Sequence, residues 1–368
     1  MWKFFLIVLA LLVLLAGAGW AFYRWHPVFG GTPDAASLAR IRRSKAFNGR
    51  EFVNLEATPL MTGDRKPGLG WLWSMLRPPP GKHPAKPLPA VPLDSSQLRD
   101  GSVAWLGHST VLLRSAGQTF ITDPVFHRAS PLPLGGKPFP MTHTASVAEL
   151  PALDAVLISH DHYDHLDYRA IGALDAKAKR FIVPLGVKGH LQRWGVAAGK
   201  ITELDWDEST AVGGVTVTLV PARHFSGRRF KRNQSLWGGY VLKAPDLAIY
   251  YGGDSGYGRH FAERIAPYGP FDLALLENGA YSDQWALVHE TPEEGVRAAL
   301  DLGAPLVLPI HWGKFDLSSH RWRDPIERFS RAAAAHHLPL ATPRIGEVFH
   351  IDKPPREKWW EGVHSDGS

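Results

Sequence analysis

Residues 160–165 hold three histidines and two aspartates, in the order His-Asp-His-Tyr-Asp-His. A protein core accommodates a single hydrogen-bonded histidine, but not a cluster whose ring nitrogens and carboxylate oxygens all need partners. Imidazole and carboxylate groups bind zinc, iron or manganese, and the lack of cysteine favours a catalytic over a structural metal site. His160 and His162 would point the same way from an extended segment, while Asp164 and His165 would serve a second ion beside the first.

Apolar runs typical of β-strands lead into this cluster and into three further candidate ligands. The run 155–159 precedes the cluster, and later runs end beside His224, Asp254 and His311. Taken singly, a polar residue at a strand end is a weak indication of a ligand, but loops at one edge of a scaffold commonly build a functional site. Together they would hold two roughly tetrahedral ions if one carboxylate bridges. The predicted ligands are His160, His162, Asp164, His165, His224, Asp254 and His311.

Short β-rich runs separated by turn signals make up most of the chain after residue 101. Strands are predicted at 103–106, 111–114, 119–122, 155–159, 180–184, 215–220, 237–242, 247–250, 273–276 and 306–309. Two helices are also predicted. The first is capped by Thr291, with Pro292 at its first position and Glu294 closing a capping box, and runs to Leu302. The second spans residues 325–336.

The composition excludes several classes of protein. Of the 368 residues, 45% are hydrophobic and 21% are charged, which excludes disordered, collagen-like and coiled-coil proteins. The absence of cysteine excludes a disulfide scaffold, a thiolate nucleophile and an iron–sulfur cluster. The 41 basic residues exceed the 35 acidic residues by 6, and no basic arm is visible, so no nucleic-acid partner is predicted. The mild excess is compatible with an anionic lipid or phosphate ligand.

The first 25 residues have the composition of a membrane-spanning helix. No charged side chain lies between Lys3 and Arg24, and a helix over this interval would span roughly 30 Å. Aromatic residues at 20–25 stand where an interfacial belt is expected. We therefore predict a single-pass anchor over residues 1–25 in a bacterial inner membrane, with the side of the membrane left open. The alternative is a cleaved signal peptide with its site at residues 16–18.

The remaining chain divides into three parts by composition. Residues 26–100 are predicted to be a proline-rich extension strapped to the core, with Trp71 and Trp73 docking on the main domain. Its prolines between 78 and 92 exclude regular helix there. Residues 101–352 are the predicted catalytic domain. Residues 353–368 are polar, contain proline and are predicted to be a flexible tail.

The pattern His-x-His-x-Asp-His over residues 160–165, with the three later ligands, resembles the metallo-β-lactamase superfamily in residue type, order and spacing. More narrowly, the chain resembles the phospholipases D that hydrolyse N-acyl-phosphatidylethanolamine. The narrower resemblance is carried by residues 105–110, 122–124, 158–167, 221–224, 251–256, 279–281 and 289–295. It implies an α/β fold of the metallo-β-lactamase type, an αβ/βα sandwich in which two mixed β-sheets lie back to back with helices on the outer faces.

The resemblance also implies a role for each matching residue. One zinc ion would be held by His160, His162, His224 and Asp254, and a second by Asp164, His165, His311 and the bridging Asp254; iron or manganese would suit the same ligands. Asp164 and His289 are the predicted catalytic residues, and His289 would contact the phosphate or protonate the leaving alcohol. His108 and Asp123 would orient the ligands from behind. The alternatives are a surface histidine flanking a helix for His289 and ordinary turn residues for His108 and Asp123.

The implied activity is hydrolysis of a phosphodiester by a hydroxide that bridges the two ions. Such a phospholipase D would release N-acylethanolamine and leave phosphatidic acid. Arg228 and Arg229 follow His224 closely and are predicted to bind the anionic diester or the bilayer surface, a solvated loop being the alternative. The expected partners are a phospholipid and the membrane, and the oligomeric state is left open, a homodimer included.

The chain departs from the pattern of these phospholipases in two places. Glu277 and Asn278 stand where an apolar or proline-containing stretch is expected, and Val288 stands where a polar residue is expected. Both changes fall beside the substrate, so the acyl-chain and headgroup preferences stay open. The rival functions are hydrolysis of a lactone, an ester or a β-lactam on the same fold, and a non-catalytic membrane protein that binds metal or lipid. The complete ligand set disfavours the non-catalytic alternative.

Overall fold

A computed structural model describes residues 1–63, 80–132 and 135–365 of the chain. Trp71 and Trp73, which are predicted to dock, and the prolines at 78 and 79 lie outside the described residues. Six α-helices occur in the described part. They are α1 (Trp2–Trp25), α2 (Ala35–Ile41), α3 (Tyr168–Leu174), α4 (Lys188–Arg193), α5 (Pro292–Asp301) and α6 (Asp324–Ala335).

The described strands form two mixed sheets. The first contains β1 (Ser102–Trp105), β2 (Val111–Ser115), β3 (Gln118–Thr122), β4 (Ala155–Leu157), β5 (Phe181–Pro184), β6 (Ile201–Leu204) and β13 (Val348–His350), in the order β13-β1-β2-β3-β4-β5-β6. The second contains β7 (Ser209–Val212), β8 (Val215–Val220), β9 (Gly239–Lys243), β10 (Ala248–Tyr251), β11 (Leu273–Glu277) and β12 (Val307–Ile310), in the order β12-β11-β10-β9-β8-β7. In the first sheet, the neighbouring strands from β3 through β6 pair in parallel. In the second sheet, β11 pairs in parallel with both β10 and β12.

Apolar side chains from both sheets meet in a central core. Leu113 and Leu157 of the first sheet belong to the same buried cluster as Leu219 and Leu275 of the second. The opposite face of the first sheet packs on α3 and α4, and the opposite face of the second packs on α5 and α6. This arrangement is an αβ/βα sandwich, so the predicted fold class is confirmed.

The predicted strands are all present, with ends that differ by at most two residues, and both predicted helices are confirmed. Thr291 caps α5 by accepting a hydrogen bond from the Glu294 amide, and the Glu294 carboxylate accepts one from the Thr291 amide in return. The prediction missed β6, β7, β13 and the short helices α2, α3 and α4. These elements have weak local signals because tertiary packing supplies most of the stability of a short helix or edge strand.

Helix α1 has a mean hydropathy of 2.6 and no buried residue, so its length and composition suffice to cross a membrane, as those of a signal sequence do. The chain then enters the folded domain at once. Val28 and Phe29 are buried, and the carbonyl of Pro27 accepts a hydrogen bond of 2.8 Å from the indole of Trp194. The segment after α1 is therefore part of the domain surface.

The carboxyl-terminal segment is packed, which corrects the prediction of a flexible tail over residues 353–368 for its described part. The ring of Trp359 stacks on Trp312 at 5.3 Å, and Trp312 stacks in turn on Trp105 at 5.2 Å. Trp360 is buried edge-on against Trp312. This polar segment is ordered because it contains two tryptophans. The free energy gained by burying each aromatic side chain offsets the conformational entropy lost when the adjoining residues become fixed.

Candidate metal centre

The predicted ligands converge at one edge of the sandwich. Strands β4, β8, β10 and β12 each run into a loop that carries one or more of them. Pairing of Glu277 with Ile310 places the ends of β11 and β12 side by side. Gly253 has a φ of 62°, and a Cβ there would lie 2.8 Å from the Cβ of Ser159, so only glycine lets this loop pass so close to the 160–165 loop.

The first cluster contains His160, His162 and His224. The Nδ1 atom of His162 lies 2.9 Å from Nε2 of His160 and 3.3 Å from Nε2 of His224. In a tetrahedral zinc site with bonds of about 2.0–2.1 Å, neighbouring ligand atoms stand about 3.4 Å apart. The three nitrogens are therefore spaced to share one ion.

The second cluster contains the predicted ligands Asp164, His165 and His311, with His108 beside them. The Nε2 atoms of both histidines lie 3.4 Å from Oδ2 of Asp164. Each of them also lies 3.1 Å from an Asp254 oxygen. The same aspartate stands 3.9 Å from His160 Nε2 and 3.8 Å from His224 Nε2, so its carboxylate lies between the clusters. This is the position that a bridging ligand would occupy.

Unsatisfied polar atoms mark the same point. Nε2 of His165, Nε2 of His311 and Oδ1 of Asp254 are buried and lack a hydrogen-bond partner in the described part of the chain. Buried polar atoms are rarely left without a partner, because desolvation of each costs about 1–3 kcal/mol. Their convergence fits a site built for cations, with nitrogen and oxygen ligands that suit zinc, iron or manganese.

The electrostatics of the cluster favour positive charge. Burial alone would lower the pKa of His311, but Asp254 and Asp164 raise it to about 10. Burial would raise the pKa of Asp164, but His165 and hydrogen-bonding histidines hold it well below its usual range. Burial and the neighbouring histidines also keep the pKa of His160 well below 6.5. Ionised Asp164 and neutral His160 are in the protonation states that metal binding requires, whereas His311 has to release a proton before it can bind a cation.

Asp123 orients the ligands from behind. Its Oδ2 atom lies 2.6 Å from Nδ1 of His165 and accepts hydrogen bonds from the hydroxyls of Ser159 and Tyr251. The Ser159 hydroxyl lies 2.9 Å from Nδ1 of His160, so one carboxylate fixes rings in both clusters. A carboxylate behind a metal-binding imidazole fixes its tautomer and raises its basicity.

Other ligands are fixed in the same way. Nε2 of His108 lies 3.1 Å from Oδ2 of Asp164, and Nδ1 of His224 lies 2.8 Å from the carbonyl oxygen of Val288. His108, Asp123 and His311 all have positive φ, a conformation that costs non-glycine residues of order 1–3 kcal/mol each. Such strain persists only where the surrounding structure imposes it, and here it coincides with the ligand clusters.

His289 lies beside both clusters, with its Nδ1 atom 4.0 Å from Oδ2 of Asp254. The same nitrogen hydrogen-bonds Oε1 of Glu277, which the sequence analysis placed beside the substrate but to which it gave no role. The available signal was the position of this glutamate, since it ends an apolar strand as the other site residues do. Burial, with Asp254 nearby, raises the pKa of Glu277 well above its ordinary value.

Arg228 and Arg229 both donate to backbone carbonyls, which corrects the prediction that they bind the anionic diester; contact of this segment with a bilayer surface stays a prediction. The buried guanidinium of Arg228 donates to the carbonyls of Val28, Asp161 and Leu166. That of Arg229 donates to the carbonyls of Phe29 and Gly30. These guanidinium groups donate to backbone carbonyls instead of facing the pocket. Arg228 thereby connects the segment after α1 with the loop of residues 160–166.

A pocket of about 240 Å³ opens over the two clusters. His162, Asp164, Asp254, His289 and His311 form its floor. Its walls combine the guanidinium-bearing Arg232 with the apolar residues Leu60, Met61, Phe225, Trp285, Val288 and Leu317. Arg232 is thus the member of the basic run that faces the ligands, and Leu60 and Met61 come from the amino-terminal extension.

Comparison with known proteins agrees with this geometry. Residues 118–312 match the profile of the beta-lactamase superfamily domain, and the chain belongs to this superfamily as a metal-dependent hydrolase. Within it, the chain is 34% identical over 312 residues to N-acyl-phosphatidylethanolamine-hydrolyzing phospholipase D 1 of Caenorhabditis elegans, which covers 78% of this chain and 86% of that protein. It is 41% identical over 363 residues to an uncharacterised protein of Mycobacterium tuberculosis, covering 94% and 96% of the two chains.

Solved structures show the same fold at low sequence identity. A metallo hydrolase from Ignicoccus hospitalis superposes with a TM-score of 0.52 at 19% identity, over 67% of this chain and 97% of that one. An isothiocyanate hydrolase from Delia radicum gut bacteria gives 0.53 at 20% identity, over 67% and 98%. These likenesses establish the fold alone.

Proposed function

We propose that the protein is a membrane-associated phosphodiesterase of the phospholipase D type, which cleaves N-acyl-phosphatidylethanolamine to N-acylethanolamine and phosphatidic acid. The observation that carries the proposal is the composition of the pocket above the ligand clusters. One wall presents Arg232, a cation for the phosphodiester, and the other walls are apolar and suit an acyl chain. The named Caenorhabditis elegans relative supports the same substrate.

Each polar residue of the pocket would have a role set by its position relative to the phosphodiester. Two zinc ions, when bound, would supply a water nucleophile at neutral pH and stabilise charge on the phosphoryl oxygen. Asp164 would complete the second cluster from the pocket floor, and His289 would face the leaving oxygen. Arg232 would hold the remaining phosphate charge. The apolar walls would exclude bulk water from the acyl chain, which strengthens these electrostatic contacts.

The amino-terminal helix supports a lipid substrate. Phe230 is 90% exposed and its ring lies 4.7 Å from that of Tyr23, near the end of α1. The basic residues Arg229, Lys231 and Arg232 flank this exposed ring, a combination suited to an anionic bilayer surface. Because Arg232 also lines the pocket, substrate would reach the ligand clusters directly from a membrane that held α1. We propose the phospholipid and the membrane as the partners, with no nucleic acid.

The test is mass spectrometry of the products formed by the full chain in detergent or nanodiscs, loaded with zinc and supplied with N-acyl-phosphatidylethanolamine. We expect equal amounts of N-acylethanolamine and phosphatidic acid, lost in Asp254→Asn and retained in the surface variant Asp175→Asn. Metal analysis before the assay would establish that the wild type carries two ions. Intact lipid from protein with both ions present would overturn the proposal, and a lactone, ester and β-lactam panel would follow.

A further inference from the structure

Glu277 ends β11 with its carboxyl group buried beside the ligand clusters. The side chain is 1% exposed, and the backbone amide of Ser255 donates a hydrogen bond of 2.7 Å to its Oε2 atom. The other oxygen, Oε1, hydrogen-bonds Nδ1 of His289. The same Oε1 lies 3.6 Å from Nδ1 of His311. One backbone amide and two imidazole rings therefore surround the carboxyl group.

Burial of this carboxyl group costs desolvation free energy, which indicates that the group has a functional role. Among the described residues, the ion-pair partners of Glu277 are His289 and His311, and no lysine or arginine contacts it. Taking a carboxyl group out of water costs several kcal/mol, by order of magnitude, when no strong cation compensates.

We propose that Glu277 is a positioning residue that works through His289, an inference that rests on the proposed phosphodiesterase function. Because Nδ1 of His289 is committed to Glu277, Nε2 is the ring nitrogen left for the pocket, which His289 lines. The carboxyl group holds the ring in one orientation and one tautomer. His289 then serves as the acid that protonates the leaving alcohol, and Glu277 compensates the charge that this transfer moves.

The step balances without any other reactant. Water forms the new phosphorus–oxygen bond, and the bond between phosphorus and the oxygen of the N-acylethanolamine breaks. His289 gives the proton on Nε2 to that leaving oxygen, and the proton in the Glu277–His289 hydrogen bond ends on Nδ1. The proton that the attacking water releases restores the pair for the next turnover.

Glu290 offers a matched control. Its side chain is buried to the same depth, at 1% exposure, and it follows His289 directly in the chain. It makes no hydrogen bond to a histidine ring among the described residues. Glu290→Gln therefore removes a buried carboxyl group next to His289 in the chain without touching the proposed pair.

The experiment compares Glu277→Gln, Glu290→Gln and wild type on two substrates. N-acyl-phosphatidylethanolamine has an alkoxide leaving group that needs a proton, whereas bis(p-nitrophenyl) phosphate releases a stable phenolate. In Glu277→Gln we expect kcat to fall about 100-fold on the lipid and less than about fivefold on the activated diester. Glu290→Gln should retain both rates. Equal losses on both substrates, or loss of bound metal in Glu277→Gln, would overturn the proposal, because they would indicate an effect through His311.

A second readout does not depend on turnover. In chelator-treated protein with 15N-labelled histidine, the His289 ring should give a hydrogen-bonded Nδ1 signal, assigned by its absence in His289→Gln and shifted in Glu277→Gln. Wild-type protein that cleaves bis(p-nitrophenyl) phosphate but not the lipid would overturn the proposed substrate, and the Glu277–His289 pair would then be judged by this spectrum. A His289 signal that is unchanged in Glu277→Gln would overturn the pair itself.

Discussion

The Oδ2 atom of Asp123 lies 2.6 Å from Nδ1 of His165, although 42 residues separate the two in the chain. The aspartate follows β3 and the histidine lies in the loop after β4, so the parallel pairing of these strands makes the contact. Asp123 also reaches His160 through the Ser159 hydroxyl. A single carboxylate thus fixes one ring in each ligand cluster.

We expect Asp123→Asn to weaken metal binding by about 10–100-fold, the usual effect of losing a carboxylate behind a metal-binding histidine. An amide keeps the size of the side chain but not its charge. Competition with a chromogenic chelator measures the affinity. Asp175→Asn, at a surface ion pair with Lys200, is the control and should bind like wild type. Equal affinities for wild type and Asp123→Asn would contradict the orienting role.

Metal removal should lower the thermal stability. A ligand present at 100 times its dissociation constant adds about 2.7 kcal/mol to the free energy of unfolding, which corresponds to roughly 3–4 °C in Tm for a protein of this size. Scanning fluorimetry before chelation, after chelation and after zinc addition measures the change. Asp254→Asn, which lacks the carboxylate between the clusters, should show a smaller response. A Tm that changes neither on chelation nor on zinc addition would contradict the presence of a bound ion.

Arg228 should stabilise the domain rather than bind substrate. Its guanidinium pairs carbonyls of the segment after α1 and of the ligand-bearing loop, so Arg228→Met would leave several buried oxygens without donors. We expect a loss of about 3 kcal/mol in the free energy of unfolding, measured by guanidinium denaturation in detergent. Arg259→Met, at a mostly exposed side chain, should change it by less than about 0.5 kcal/mol. A stable Arg228→Met variant with an increased KM would restore the substrate role.

The carboxyl-terminal tryptophans should contribute to the core. Trp360 is 1% exposed against Trp312, which directly follows the ligand His311. Trp360→Ala should cost about 3–5 kcal/mol in the free energy of unfolding, because the cavity cannot close fully. Lys358→Ala, two residues earlier and exposed, is the control in the same denaturation experiment. Equal stability of the two variants would indicate that the segment detaches.

Acid should destabilise the fold through His260. Burial, and to a smaller extent Arg223, lowers the pKa of His260 to about 3, while the unfolded chain titrates near 6.5. The unfolded state therefore binds more protons between these values, and stability falls as the pH falls. Between pH 6.5 and 5.0 this residue should account for a loss of about 1.5 kcal/mol. In denaturant titrations, the free energy of unfolding of His260→Gln should fall by about 1.5 kcal/mol less than that of wild type between pH 6.5 and 5.0. Equal losses in the two proteins would contradict the assignment.

The amino-acid sequence by itself determined the candidate ligands and the elements that carry them. Strands with β-rich apolar runs, the capping box at Thr291 and the histidine cluster at 160–165 are local patterns, and local patterns are legible in a sequence. The position of the candidate ligands at strand ends predicted that they would meet, because loops at one edge of a scaffold commonly build a functional site. The αβ/βα sandwich followed from the resemblance that these motifs carry.

Only the tertiary structure decided which other side chains join or leave the site. Arg228 donates to a carbonyl 200 residues away, Glu277 meets His289 across the connection between β11 and α5, and Trp360 packs on Trp312 instead of fraying. Each outcome depends on which unpaired group or apolar surface the fold brings near. A local sequence pattern does not predict these contacts. Each buried polar group must pair with a group within hydrogen-bonding distance in the folded chain, and that group is usually distant in sequence.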